Sequence, residues 1–118
     1  MKTIIVEDEI MAIKLVRNYL ERDKRVEIVG ECLDAGEALQ CVRERAVEAA
    51  FLDICIHGCM DGVELGKKLK ELNPQIVLIY TTGNAQYVDN AIDVEADFYL
   101  MKPLNAAELT FVVKKANE

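Results

Sequence analysis

Several strand-like stretches of this chain run directly into side chains that could do phosphate chemistry. Glu7-Asp8-Glu9 follows Ile4-Ile5-Val6, Asp53 follows Phe51-Leu52, Thr81-Thr82-Gly83 follows Leu78-Ile79-Tyr80, and Lys102-Pro103 follows Tyr99-Leu100-Met101. In open α/β sheets, ligands bind beyond the carboxyl ends of the strands, so these segments are expected to converge. Carboxylates gathered in one cleft repel one another and raise one another's pKa, a cost that a hard cation with oxygen ligands relieves. Magnesium suits such a site. With the charge of an approaching phosphoryl donor screened, one carboxylate is free to attack phosphorus and form an acyl phosphate. Asp53 is the candidate nucleophile. Lys102 offers a mobile positive charge to a phosphoryl oxygen and the Thr82 hydroxyl can donate to another, which completes the set of groups needed for phosphoryl transfer.

The elements that must position these residues are legible from periodicity. Short β-branched and aromatic runs at 2–6, 26–32, 49–52, 75–81 and 98–101 read as strands. Segments 10–22, 35–45, 62–72, 85–94 and 106–117 carry apolar residues three or four apart, as in Ile13, Val16 and Leu20, and read as helices. Asp34 before Glu37, Asp61 before Glu64 and Asn105 before Glu108 have capping-box spacing at three of the helix starts. Strict strand–helix alternation implies parallel neighbours joined by right-handed crossovers, hence an open doubly wound sheet with helices on both faces. Val77-Leu78-Ile79 is apolar on both faces, as a central strand requires, whereas 26–31 mixes in charge and belongs at an edge.

Bulk properties bound the class. A length of 118 residues fits one domain, and 52% apolar with 30% charged residues excludes disordered and fibrous chains. The net charge of −7 repels nucleic-acid phosphates and anionic membrane surfaces, so direct nucleic-acid binding and membrane association by this domain are not expected. No apolar run is long enough to span a bilayer and the start lacks a signal-peptide layout, which reads as cytoplasmic. Cys32, Cys41, Cys55 and Cys59 are expected as reduced thiols, with Cys32 and Cys41 acting as small apolar residues. No output domain is visible after the last helix.

Over essentially its whole length the chain resembles the receiver domains of two-component response regulators. The resemblance rests on IIVEDE at 4–9, FLDI at 51–54, DGVEL at 61–65, IYTTGN at 79–84 and ADFYLMKPL at 96–104. It implies one receiver domain over 1–118 with a flavodoxin-like (βα)5 fold, strand order 2-1-3-4-5 and a cis Lys102–Pro103 peptide. It further implies magnesium held by Glu7, Asp8, Asp53 and the backbone carbonyl of Cys55, and Asp53 as phosphoacceptor. Thr82 is implied as the switch hydroxyl, in preference to the alternative Thr81 because Gly83 then falls where the family has a small residue, with Tyr99 as the switch aromatic and Lys102 as the phosphate-binding lysine. The implied partners are a sensor histidine kinase as donor, an output domain or downstream protein, and a second copy of the domain after phosphorylation. Phosphorylation would reshape the face formed by the fourth helix, fifth strand and fifth helix. The segment after Asp53, Ile56-His57-Gly58-Cys59-Met60, departs from the family pattern in lacking a proline and in being one residue longer.

Other readings are weaker. Glu7-Asp8-Glu9 alone could be an acidic helix start favoured by the macrodipole, and Tyr99 alone a core aromatic. Cys55, His57 and Cys59 share one loop, but a closed zinc site needs four ligands. A flavin-binding protein on this topology would need a phosphate-cradling loop after the first strand, where carboxylates stand. A hydrolase using Asp53 would be favoured by an acid two residues on, where Cys55 stands. The principal alternative is a pseudo-receiver that acts only as a protein-interaction module.

Overall fold

The computed structural model describes residues 1–56, 62–83 and 96–118. Five parallel strands, β1 (Lys2–Val6), β2 (Glu27–Cys32), β3 (Ala49–Asp53), β4 (Val77–Thr82) and β5 (Phe98–Met101), lie in the order β2-β1-β3-β4-β5. This is the expected flavodoxin-like order. The helices among the described residues are α1 (Ile10–Leu20), α2 (Ala35–Glu44), α3 (Gly62–Leu72) and the C-terminal helix α4 (Ala106–Ala116). The expected helix at 85–94, the capping residue Asp61, and His57 and Cys59 lie outside the described residues.

Alternation of side chains along the strands makes two cores. Ile4, Val6, Ala50, Leu52, Leu78 and Tyr80 face one side, covered by Ala38 of α2 and by Leu65 and Leu69 of α3. Ile5, Phe51 and Ile79 face the other, covered by Ile13, Val16 and Leu20 of α1 and by Leu109, Val112 and Val113 of α4. β3 is buried at every residue, as a strand covered on both faces must be. β2 is at the edge, where its charged pattern belongs.

Strand ends differ from the sequence expectation in an informative way. β4 begins at Val77 rather than at 75, because the Asn73 side chain accepts from the Gln75 amide (3.1 Å) and holds Pro74–Gln75 in a turn. At the other end β3 and β4 each run one residue further than expected. Asp53 pairs with Thr81, and Thr82 pairs with Met101. The candidate nucleophile and switch hydroxyl are therefore held within the sheet ladder and not on loops.

Two of the expected caps are present. Asp34 accepts from the Glu37 amide (2.8 Å), while the Glu37 carboxylate reaches back to the Leu33 amide (2.8 Å). Asn105 accepts from the Glu108 amide (2.8 Å). Asp34→Ala is expected to lower stability by about 1 kcal/mol in urea denaturation with an unchanged m value, whereas Asp34→Ser should be close to neutral.

Candidate functional site: an acidic cleft at the carboxyl edge of the sheet

The sheet order puts β1 and β3 side by side, so the residues that end them meet. Glu7 continues β1, its amide donating to the Cys32 carbonyl (3.0 Å). Asp53 ends β3, and the next amide, that of Ile54, donates to the Thr81 carbonyl (3.1 Å). One strand further along, the Lys102 amide donates to the Thr82 carbonyl (2.7 Å), just before the cis Lys102–Pro103 peptide. Backbone bonds thus fix where each of these side chains starts.

Side-chain geometry follows. Carboxylate oxygens of Glu7, Asp8 and Asp53 all lie within 4.8 Å of one another. Lys102 reaches in between two of them, its Nζ donating to Glu7 Oε2 (2.9 Å) and to Asp53 Oδ2 (3.3 Å). The other Asp53 oxygen, Oδ1, accepts from the Cys55 amide (3.0 Å). Glu7 and Asp53 are only 4% and 7% exposed, so their charges interact through a poorly screened medium. Burial pushes the Glu7 carboxyl up to about 7, aided by its hydrogen bond with Asp53 and opposed by Lys102. For Lys102, burial pulls downward, but the bond to Glu7 and the charge of Asp53 outweigh it and leave the ammonium raised.

This donor set fits a hard divalent cation. It consists of carboxylate oxygens, Glu7 and Asp53 are buried and Asp8 half-buried, and burial, with Asp53 adding to it, already pushes Glu7 toward the protonated form. Lys102 supplies a positive charge to Glu7 and Asp53.

Of the residues expected at the site, Glu7, Asp8, Asp53 and Lys102 come together. Cys55 adjoins them through its amide. Thr81 and Thr82 are both buried at the end of β4, and strand alternation puts Thr82 on the face of Tyr80 and Thr81 on the opposite face. Tyr99 is not at the cleft. It sits on β5, half-buried, with its ring stacked on Tyr80 at 6.1 Å between centroids and 17° between planes.

Tyr80 itself is a component that sequence reading passed over. Its hydroxyl donates to the Gly62 carbonyl (2.9 Å) at the start of α3. Gly62 is pressed against the β3 end, where a Cβ would stand 2.7 Å from Ile54 Cα and closer still to the Asp53 and Ile54 carbonyl oxygens. A continuous packed path therefore runs from Asp53 through Gly62 and Tyr80 to Tyr99. The available signal was a pair of glycines four apart on a helix, Gly62 and Gly66, opposite a strand carrying a large aromatic.

A five-stranded parallel sheet in the order β2-β1-β3-β4-β5, flanked by helices, is the architecture of receiver domains, and comparison with known proteins agrees. The response regulator receiver domain model matches residues 3–114, and the chain belongs to that family. It is 30% identical over 115 residues to the sensory transduction protein LytT of Bacillus cereus, covering 98% of this chain and 46% of that protein. The same identity over 115 residues is found with the transcriptional regulatory protein YpdB of Escherichia coli, covering 98% and 47%. The chain thus spans about half the length of the curated relatives it matches. Among solved structures, the REC domain of AraT, a response regulator from Geobacillus stearothermophilus, superposes with a TM-score of 0.87 at 32% identity, covering 98% of this chain and 91% of that one. A CheY-like receiver domain protein from Methanospirillum hungatei gives 0.84 at 28% identity, covering 98% and 93%. No helix among the described residues is long and apolar enough to cross a membrane.

Proposed function

We propose that this receiver domain is a working phosphoacceptor, in which Asp53 takes a phosphoryl group from a sensor histidine kinase in the cytoplasm. The observation that carries the reading is the position of Lys102, with its ammonium bonded to both Glu7 and Asp53. Glu7, Asp8, Asp53 and the Cys55 carbonyl would hold magnesium. When bound, magnesium would screen the negative charge that builds up as a phosphoryl donor meets the acids. An Asp53 oxygen then attacks phosphorus, the P–N bond to the donor histidine breaks, and the histidine nitrogen leaves with the electron pair. Lys102 releases the Asp53 oxygen and pairs with a phosphoryl oxygen, while Thr82 donates to another. The cis Lys102–Pro103 peptide lies at the base of this lysine.

Domains of this kind act on themselves and are not conventional enzymes. Slow loss of the acyl phosphate to water resets the state. The switching output would run along the packed path to Tyr99, reshaping the face that includes β5 and α4 for an output domain, a downstream protein or a second copy of the domain. A bond from Tyr80 to the α3 start and a ring contact from Tyr80 to Tyr99 support that route.

The direct test is incubation with magnesium and acetyl phosphate followed by intact mass. A single adduct of one phosphoryl group, stable in acid and labile in base, and absent when the metal is chelated, is the expected result. No adduct on the wild type would instead favour the phosphorylation-independent interaction module.

The raised Glu7 pKa gives a second expectation. A carboxyl whose folded pKa lies above its ordinary value of 4.5, here at about 7, contributes stability below about pH 4.5 that is lost as pH rises through 7 in the absence of metal. Cation binding requires the ionised form, so magnesium competes with the proton. The magnesium-induced rise in unfolding temperature should therefore be larger at pH 8 than at pH 6. Equal shifts would remove Glu7 from the metal site.

A further inference from the structure

Away from the acidic cleft, a second pair of reactive side chains is in contact. Cys32 ends β2, and Cys41 lies midway along α2 above it; the Cys32 thiol donates to Cys41 Sγ at 3.9 Å. Both are free thiols, Cys32 fully buried and Cys41 half-buried. Gly30, two residues before Cys32, makes the approach possible. A Cβ there would stand 2.7 Å from Cys41 Sγ and 3.2 Å from Ile4 Cγ2, so the sulfur occupies space that any other residue would fill. The β1–β2 register reinforces this arrangement, since Thr3 pairs with Ile28 but Ile4 with Gly30, leaving Val29 as an extra residue that turns Gly30 and Cys32 to the face of Ile4 and Val6, which α2 covers, and away from the face of Ile28.

We propose that Cys32 and Cys41 form a redox-responsive dithiol that closes to an intramolecular disulfide, and that closure is transmitted to the acidic cleft through the Cys32 backbone. The oxidant class is a low-molecular-weight disulfide. The Cys41 thiolate, the accessible member, attacks one sulfur of that disulfide and breaks its S–S bond, and one thiol is released. Cys32, whose thiol burial and the adjacent Cys41 hold well above its ordinary range, then attacks the Cys41 sulfur as its proton passes to the departing thiolate, releasing the second thiol. Two protein thiols are oxidised and one disulfide is reduced to two thiols, with the two protein protons passing to the leaving thiolates. The sulfurs must approach by roughly 2 Å to reach bonding distance, a movement within the reach of side-chain torsions at the half-exposed cysteine. Transmission follows from the ladder, because the Cys32 carbonyl accepts the Glu7 amide at 3.0 Å. That second half rests on reading Glu7 as a metal ligand.

The test uses the whole chain and oxidised glutathione as the probe, with remaining thiols alkylated after denaturation. Of the four cysteines, two are expected to be alkylated in place of four, with peptide mapping linking Cys32 to Cys41. The link should reverse with dithiothreitol and be lost in Cys41→Ser. Magnesium titration of the thiol and disulfide forms, followed by unfolding temperature, should give apparent affinities about tenfold apart, the scale of disturbing groups that hold metal ligands in place. Four alkylated thiols, a link through Cys55 or Cys59, a glutathione adduct persisting on Cys41, or equal magnesium affinities in the two forms would each overturn the proposal. A reduced chain that shows no magnesium response at all would overturn the metal-site reading instead, and the linkage map alone would then decide the dithiol.

Discussion

Asp53→Asn is expected to carry no phosphoryl adduct under conditions that fully modify the wild type. An amide oxygen is too weak a nucleophile to form the acyl phosphate, and no other carboxylate in the cleft has the same surroundings. Asp53 is bonded both to Lys102 (3.3 Å) and to the Cys55 amide (3.0 Å). Lys102→Ala should keep the nucleophile and lose the charge that meets the transferring oxygens, slowing modification by roughly 10²–10³-fold. Intact mass over time separates complete loss from slow gain. An equal adduct on Asp53→Asn would move the phosphoacceptor elsewhere. The same variant has a metal-free signature. Burial is the main influence that raises the Glu7 carboxyl, but a hydrogen bond and a like charge from Asp53 add to it, so removing that charge should lower Glu7 part of the way and weaken the pH dependence of stability around 7.

Gly62→Ala is the largest structural effect expected. Its Cβ would press on the Asp53 and Ile54 backbone, which has no flexible side chain to give way. Overpacking of this kind costs on the order of 3 kcal/mol, against which the gain of about 1 kcal/mol from alanine in a helix is small. A fall of roughly 10 °C in Tm follows for a domain of this size. Because the Asp53 carbonyl is what must move, phosphorylation should fall too. Gly66→Ala differs in kind. Its Cβ would collide with the Tyr80 hydroxyl and stand 3.0 Å from Cζ, in contact with a side chain rather than with backbone. Tyr80→Phe removes the hydroxyl and, with it, the bond to the Gly62 carbonyl, a loss of about 1 kcal/mol. The double variant should therefore lose less than the sum of the singles, by about 1 kcal/mol in a denaturant-based mutant cycle. Strict additivity would contradict the contact.

The contrast between Asp53 and Tyr80 shows what sequence makes legible. Asp53, Glu7, Asp8 and Lys102 were identified because charge at strand ends is rare and the parallel topology allows those ends one meeting place. Layer order and the edge position of β2 followed from the same apolar patterning. Tyr80 and Gly62 escaped because their relation is one of shape. A glycine at a helix start and an aromatic in a strand are each unremarkable until packing brings the hydroxyl to the carbonyl. Cys32 and Cys41 escaped for a similar reason. Each fits as a small apolar residue, and only the extra residue in β2 and the missing side chain of Gly30 bring the sulfurs into contact. β3 runs one residue past its expected end because ladder pairing overrides the low strand propensity of aspartate, whereas Thr82, a good strand former, extends β4 by pairing with Met101.

The Glu7–Lys102 ion pair joins positions 95 residues apart. During synthesis, β1 and β3 are in hand long before β5 leaves the ribosome, and until then the clustered acids have no lysine to oppose them. On the proposed function, a chain lacking β5 would lack the ammonium that bonds Glu7 and Asp53 and would be poorly equipped to engage a phosphodonor. If Asp53 accepts a phosphoryl group as proposed, competence to do so would arrive with the last strand, and only a finished domain would be switched.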